Sequence, residues 1–241
     1  MSARAARAVK VAGGGVGALA LFGFGYIARN WYRYGKVSKN GKTDLLLDRF
    51  MPTYEVRERH ETRVAAPVAI AYEAVRRMDM NRSRLVRGMF RARAIALRAK
   101  PEPLPQLEGF LEQAQSLGWG ILAEEPGREI VLGAVTKPWM ANVHFERLDP
   151  GRFTAFDGPG YVKIAFTMVA EPVDARSSIV KTETRVITTD RYARKRFRRY
   201  WTVVSPGVRL IRVEALRLVR ADAERRFEAG ETLVETAAEE A

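Results

Sequence analysis

The chain has 241 residues, of which 47% are hydrophobic and 29% are charged. This composition excludes a disordered or collagen-like chain, and the length suits one large domain with appendages better than two full domains. The sequence contains no cysteine and two histidines. Disulfides and cysteine nucleophiles are therefore excluded, and we expect no metal site.

The net charge of +13 is unevenly distributed along the chain. Residues 1–42 contain eight of the 41 basic residues and none of the 28 acidic residues, so the remainder carries only a modest positive excess. A nucleic-acid-binding domain is expected to have a stronger charge of its own or aromatic residues interleaved on an exposed sheet. We therefore expect no nucleic-acid partner.

Residues 11–28 are an uncharged segment with Lys10 before it and Arg29 and Trp31 after it. A helix of this length just spans a bilayer core of about 30 Å, and basic and aromatic flanks suit its interfaces. We predict a single-pass membrane anchor over residues 1–29, with a cleaved signal peptide and an interfacial or buried helix as alternatives. More basic residues follow the segment than precede it, which predicts a cytoplasmic main domain.

Two glycine-containing segments mimic nucleotide-binding turns. Gly13, Gly15 and Ala18 have the G-x-G-x-x-A spacing, but no βαβ unit follows them. Residues 35–43 end like a phosphate-binding loop, but the glycine spacing is one residue too long and no strand leads into it. We expect no cofactor.

The predicted main domain covers residues 48–228, after a basic linker over residues 30–47. Alternation of residue types over residues 54–64 predicts a half-buried strand. A helix follows Pro67, and a second helix is predicted over about 81–98. In that second helix we expect the apolar residues, Leu85, Val86, Met89, Phe90, Ala96 and Leu97, to be buried beside an exposed arginine stripe.

A series of short strands is predicted after a proline-containing loop at residues 101–105. The candidate strands are residues 119–125, 129–136, 142–147, 152–157, 161–170 and 178–189. Short connections with turn residues indicate an antiparallel meander. A long helix over about 190–227, kinked at Pro206, is predicted to pack on the sheet, and residues 229–241 are predicted to be an acidic, disordered tail.

Four sequence segments carry a resemblance to a known superfamily. They are Arg63-Val64-Ala65-Ala66-Pro67, residues 122–129 with Val131-Leu132-Gly133, residues 182–186, and Phe197 with Tyr200-Trp201. With the order of elements, these segments resemble the START-like (SRPBCC) superfamily, which includes polyketide cyclases and lipid-transfer domains. The resemblance implies an α+β helix-grip fold, in which a curved antiparallel sheet of about seven strands wraps on the C-terminal helix, with two short helices after the first strand. It also implies a deep apolar cavity, but no particular reaction.

Candidate catalytic residues are Glu58 and His60 on the first predicted strand, and His144 on a later one. A histidine and a carboxylate on the same face of a strand in a cavity could transfer protons. The alternative for His60 is an ordinary, partly solvated strand histidine. For His144 and its neighbour Glu146 the alternative is full exposure to solvent.

Candidate ligand-binding residues are Trp139, Tyr161, Tyr200 and Trp201, which combine apolar area with a hydrogen-bonding tip. Arg185 could bind a ligand carboxylate if it is buried. The alternatives are that the aromatic residues belong to the core and that Arg185 belongs to a solvated surface ladder.

These observations support three hypotheses of function. The first is a membrane-tethered protein that binds an apolar small molecule, either a lipid or a polyketide-like compound. The second is a cyclase or dehydratase that uses His60 and Glu58 or His144. The third is a non-catalytic scaffold or assembly subunit that contacts a membrane-protein partner. The basic stripes at residues 82–98 and 194–199 could attract anionic lipid headgroups or be plain solvated faces.

Overall fold

The computed structural model of the chain describes residues 38–39, 45–96, 98, 107 and 109–230. The predicted anchor, most of the predicted linker and most of the predicted tail lie outside these residues. The elements of the described part are β1 Ser38–Lys39, α1 Leu45–Phe50, β2 Thr53–Tyr54, β3 Val56–Val64, α2 Val68–Arg76, α3 Arg84–Ala96, α4 Phe110–Ser116, β4 Gly120–Glu125, β5 Glu129–Thr136, β6 Phe145–Glu146, α5 Pro150–Ala155, β7 Val162–Asp174, β8 Ser177–Thr188 and α6 Arg191–Glu228.

One antiparallel sheet of six strands is the centre of the described part of the chain. Its order is β3-β8-β7-β5-β4, and β6 lies beside the end of β5. The long hairpin of β7 and β8 forms the middle of the sheet, with Val162 opposite Thr188 at one end and Asp174 opposite Ser177 at the other. β1 and β2 form a separate pair. The predicted antiparallel arrangement is confirmed.

Residues 152–157 do not form the predicted strand, because they lie mostly in helix α5. Pro150 occupies the first turn of this helix, where a fixed φ and a missing N–H are compatible with helix geometry. Phe153 is fully buried against the sheet. The sheet therefore has six strands where about seven were predicted, and the predicted strand at 142–147 is reduced to the two residues of β6.

Helix α6 lies on one face of the sheet, which we call the inner face. Its N-terminal half packs Phe197 and Trp201 against Val56 and Val186 of the sheet. Its C-terminal half joins a second cluster that includes residues of β3, β8 and α2. Burial of each such apolar side chain stabilises the fold by about 1.5–3 kcal/mol. The predicted long C-terminal helix against an antiparallel sheet is thus confirmed.

The opposite, outer face of the sheet is covered by helices α1 and α5. Leu47 and Met51, at α1 and just after it, are buried against this face with Phe153 of α5. Helix α1 begins inside the segment that the sequence predicts to be a linker. Because both faces are covered, every residue of β5 is buried.

Helix α3 is more exposed than the sequence predicts. Val86 is fully buried, but Leu85 and Phe90 are each 43% exposed. Helix α3 packs closely on α6 at one point, where a Cβ on Gly207 would lie 2.8 Å from Cε of Met89. Its narrow contact leaves most of its apolar residues at the surface.

Candidate functional site

A group of polar side chains lies on the inner face of the sheet, under helix α6. Alternation along β3 places Glu58 and His60 on this face, in register with Thr184 and Thr182 of β8. The apolar residues before and after them on the same face of β3 belong to the two clusters that contact α6. The strand geometry therefore directs the Glu58 and His60 side chains toward the helix.

Arg212 of helix α6 completes this polar group. Its Nη1 donates a hydrogen bond to Oγ1 of Thr184. Its Nε is inaccessible to solvent and has no hydrogen-bond partner among the described residues, although the residue as a whole keeps some exposed surface. Burial lowers the pKa of Arg212 to about 10, and the nearby carboxylate of Glu58 acts in the opposite direction. The guanidinium is still charged at neutral pH.

His60 is held as a neutral imidazole at neutral pH. Its Nε2 lies 3.9 Å from Oε2 of Glu58, too far for a hydrogen bond, and this buried atom has no hydrogen-bond partner in the described structure. Burial lowers the pKa of His60, and the positive charges of Arg212 and Arg209 lower it further, while Glu58 opposes them. A neutral imidazole can accept a proton or a hydrogen bond.

The apolar part of the inner face is not completely covered. Ile164 and Phe166 of β7 face α6 and remain partly exposed to solvent. On the outer face of the same strand, Ala165 and Thr167 are 0% and 1% exposed. The side of the sheet that faces the long helix therefore has accessible apolar surface beside the polar group.

Three of the predicted ligand-binding aromatic residues come together at one end of the inner face. Trp139 and Tyr200 pack on the cluster that contains Trp201 and Phe197. The rings of Phe197 and Trp201 are stacked with centroids 5.5 Å apart. Tyr161 is separate from them, because it packs on the outer-face cluster and contacts the ring of Phe156.

Arg185 lies on the outer face of the sheet, away from the other predicted residues. Its side chain is fully buried and forms an ion pair of 2.8 Å with Glu183. It also donates hydrogen bonds to Asp48 of α1 and, at 2.8 Å, to the backbone carbonyl of Met51. These contacts attach helix α1 to the sheet.

His144 lies far from His60. It directly precedes β6, which pairs with β5, whereas His60 is on the edge strand β3 at the other side of the sheet. The side chains of His144 and Glu146 are exposed, and the backbone carbonyl of His144 accepts a hydrogen bond from Thr136. The structure therefore does not bring the two histidines together.

An open cleft of about 410 Å³ lies at the β4 side of the sheet. It is lined by Trp119 and Ile121, with Arg147 and Arg152 contributing positive charge and Asp149 contributing negative charge. Opposite charges on one open rim give this cleft no clear preference for a charged ligand. Sequence reasoning did not identify it.

Among the described residues, no group of three side chains could hold a metal ion, and no helix is both long and apolar enough to span a bilayer. The predicted membrane segment, residues 11–28, lies outside the described part of the chain.

The described residues have a helix-grip arrangement, with a long C-terminal helix held on one face of an antiparallel sheet. No protein-family model and no curated protein matches the sequence. The chain is similar to the solved structure of the Zhui aromatase/cyclase from Streptomyces sp. R1128, with 16% identity, a TM-score of 0.30, and coverage of 74% of this chain and 99% of that one. It is also similar to the structure of a conserved protein from Geobacillus kaustophilus, with 9% identity and a TM-score of 0.35. That match covers 71% of this chain and 97% of the other.

A third similar structure is the di-domain ARO/CYC BexL from the BE-7585A biosynthetic pathway. Its identity is 12%, its TM-score is 0.26, and the match covers 71% of this chain and 47% of that one. These structures include proteins of the cyclase kind named by the sequence resemblance. Similarity at this level carries no information on substrate or reaction, and the assignment of the fold rests on the order and pairing of the elements.

Proposed function

We propose that the protein binds an apolar small molecule between the inner face of the sheet and helix α6. The observation that carries this proposal is the pair of unsatisfied buried nitrogen atoms, Nε2 of His60 and Nε of Arg212, beside the accessible apolar surface of Ile164 and Phe166. An unsatisfied buried polar group costs about 1–3 kcal/mol. A bound molecule that supplies the missing partner would recover that free energy.

The side chains of the site indicate which kind of ligand would bind there. Its body would be apolar and contact Ile164, Phe166 and the Trp139 cluster. It would carry at least one oxygen atom that accepts a hydrogen bond from the guanidinium of Arg212. A lipid or a polyketide-like compound combines an apolar body with such oxygen atoms. We further propose that residues 11–28 tether the protein to a membrane, because they are uncharged, apolar and flanked by basic and aromatic residues.

A fluorescence titration of the full chain with 1-anilinonaphthalene-8-sulfonate tests the binding proposal. This probe joins apolar rings to a sulfonate whose oxygen atoms accept hydrogen bonds. We expect saturable binding, and we expect Arg212→Met to weaken it by about tenfold or more, since a hydrogen bond to a charged group contributes about 1.5–3 kcal/mol. Arg217→Met is the control, because Arg217 lies on the same helix but is 62% exposed and pairs with Glu214. Equal affinities for both variants would contradict the proposal.

A second candidate function is proton transfer, favoured by the low pKa of His60 next to a positive charge. Nε2 of His60 would remove a proton from the carbon next to a ligand carbonyl, and Arg212 would stabilise the negative oxygen that forms. This is the chemistry of a cyclase or dehydratase.

Deuterium exchange tests this chemistry without a known substrate. 2-Tetralone, an apolar ketone, serves as the probe in D₂O, and NMR follows loss of its α-proton signals in the presence of the full chain. His60→Gln should abolish the protein-dependent exchange and His144→Gln should preserve it. Equal rates for the two variants would exclude His60 as the base.

A further inference from the structure

Helix α6 has a row of exposed aliphatic side chains on the side away from the sheet. Val203, Leu210 and Val213 are 74%, 51% and 51% exposed. Their spacings of seven and three residues place them on one face of the helix, together with Pro206. Contiguous exposed apolar surface of this kind is typical of an interaction site.

Positive charge surrounds this row. Residues 191–213 of α6 contain no acidic residue. Five exposed basic side chains lie in this half of the helix, namely Arg191, Lys195, Arg196, Arg199 and Arg209. Arg194 and Arg212 are directed elsewhere, since Arg194 pairs with Glu55 and Arg212 binds Thr184 inside the molecule.

Helix α3 extends the same surface. It packs on α6 at Gly207, and Oγ of Ser83, just before α3, donates a 2.8 Å hydrogen bond to Glu214 of α6. Helix α3 contains no acidic residue, exposes Arg84, Arg87 and Arg91, and exposes Ile95 to 79%. The nearest acidic group on α6, Glu214, is 13% exposed and already paired with Arg217. The outward sides of the two helices therefore combine exposed apolar side chains with exposed basic side chains.

We propose that this face of α3 and α6, centred on Val203, Leu210 and Val213, docks on the surface of an anionic lipid bilayer. Basic helices with an exposed apolar row lie in the bilayer interface, where the apolar side chains enter the acyl boundary and the basic ones contact acidic headgroups. Nucleic acid fits the face less well, because single strands bind through bases stacked on aromatic side chains, whereas this row is aliphatic. The inference does not depend on a ligand at the inner face.

The absence of natural cysteine allows each position to be tested by itself. In the full chain, Val203→Cys carries an environment-sensitive fluorophore, and Val173→Cys carries the same label as the control. Val173 is 44% exposed but lies near the tip of the β7–β8 hairpin. Vesicles of phosphatidylcholine alone are compared with vesicles that also contain phosphatidylserine, which tests the dependence on negative charge. Comparison of the two labels separates docking of this face from insertion of another segment of the chain.

We expect the label at position 203 to move into an apolar environment only with phosphatidylserine, and the label at position 173 to stay in water. The double variant Arg196→Gln with Arg199→Gln should lower the affinity for phosphatidylserine-containing vesicles about 25-fold, because each basic residue contributes about fivefold. The affinity is read from the lipid concentration at which the label shifts. Arg147→Gln with Arg152→Gln, which removes the same charge elsewhere, should leave the shift unchanged. The proposal is overturned if label 203 stays in water, if it shifts equally with phosphatidylcholine alone, if both charge pairs act equally, or if single-stranded RNA produces the shift and vesicles do not.

Discussion

Arg212 of helix α6 donates a hydrogen bond to the hydroxyl of Thr184 on strand β8, so a charged side chain joins the long helix to the inner face of the sheet. His60, on the neighbouring strand, lies in the positive field of this guanidinium. The helix thus contributes part of the apolar contact and a positive charge that adds to the effect of burial in lowering the pKa of His60.

Replacing Arg212 should change the titration of His60. The pKa of His60 is lowered first by burial and then by Arg212, so Arg212→Met should raise it toward its ordinary value. NMR titration of the imidazole signals measures the change, and only two histidines need assignment. Arg217→Met, on the exposed side of the same helix, should leave the His60 pKa unchanged. A His60 pKa that is the same in the wild type and in Arg212→Met would show that the guanidinium does not act on it.

The stability of the protein should depend on pH through His60. The pKa of His60 in the folded state is below the ordinary value of 6.5. As the pH falls toward and below about 6.5, the unfolded state therefore binds more protons at this residue than the folded state does. The free energy of unfolding should therefore fall as the pH falls through this range, while His60 adds little pH dependence well above pH 6.5. Urea denaturation at a series of pH values measures this slope. His60→Gln should reduce this slope, and a slope equal to that of the wild type would refute the assignment to His60.

Removing the buried charge of Arg185 should destabilise the fold. Arg185→Met leaves Glu183, which is 3% exposed, with one cationic partner fewer and detaches Asp48 of α1. Loss of one partner from a buried ion pair costs about 3–5 kcal/mol. Chemical denaturation measures this cost. Arg63→Met is a matched control, because Arg63 is 68% exposed and its ion pair with Asp174 has a distance of 3.8 Å, so its unfolding curve should match that of the wild type.

Two glycines should respond in opposite directions to alanine. A Cβ at Gly133 would lie 2.5 Å from Cδ1 of Leu122 and 3.0 Å from Cε2 of Phe153, and such overpacking costs about 1–3 kcal/mol. A Cβ at Gly88 of α3 would meet nothing within 4 Å, and alanine in an exposed helix is about 0.8–1 kcal/mol more favourable than glycine. Thermal denaturation should therefore show a lower midpoint for Gly133→Ala and a higher one for Gly88→Ala. A higher midpoint for Gly133→Ala would mean that the outer-face packing is looser than described.

Residue periodicity predicts the regular elements of this fold and fails where local signals conflict. Strand β5 has the bounds that the sequence predicts, and Phe197, Trp201 and Ala215 on the predicted apolar face of α6 are buried. The segment Asp149-Pro150-Gly151 is compatible both with a turn before a strand and with the start of a helix. The helix forms because it buries Phe153 against the outer face of the sheet. Helix α1 was missed because it is held by contacts with residues of the sheet that are distant in the sequence, Arg185 among them.

The candidate site was predictable in part. Strand alternation alone places Glu58 and His60 together on one face. Arg212 was missed among many arginines, although its position four residues after Val208 and three before Ala215 puts it on the apolar side of α6. No sequence pattern could show that Arg185 faces away from the helix, because that depends on which face of β8 the helix covers.

If the proposed function is correct, a small molecule is bound between the inner face of the sheet and helix α6. Native mass spectrometry of the full chain purified from its own host, compared with Ile164→Trp and Val173→Trp, can detect such a molecule. A tryptophan at position 164 is expected to compete with a bound molecule for the same position, whereas Val173 lies near the hairpin tip. We expect a stoichiometric apolar adduct on the wild type and on Val173→Trp, and its loss from a folded Ile164→Trp. A wild type that always has its bare mass, or an adduct that persists in Ile164→Trp, would contradict the proposed function.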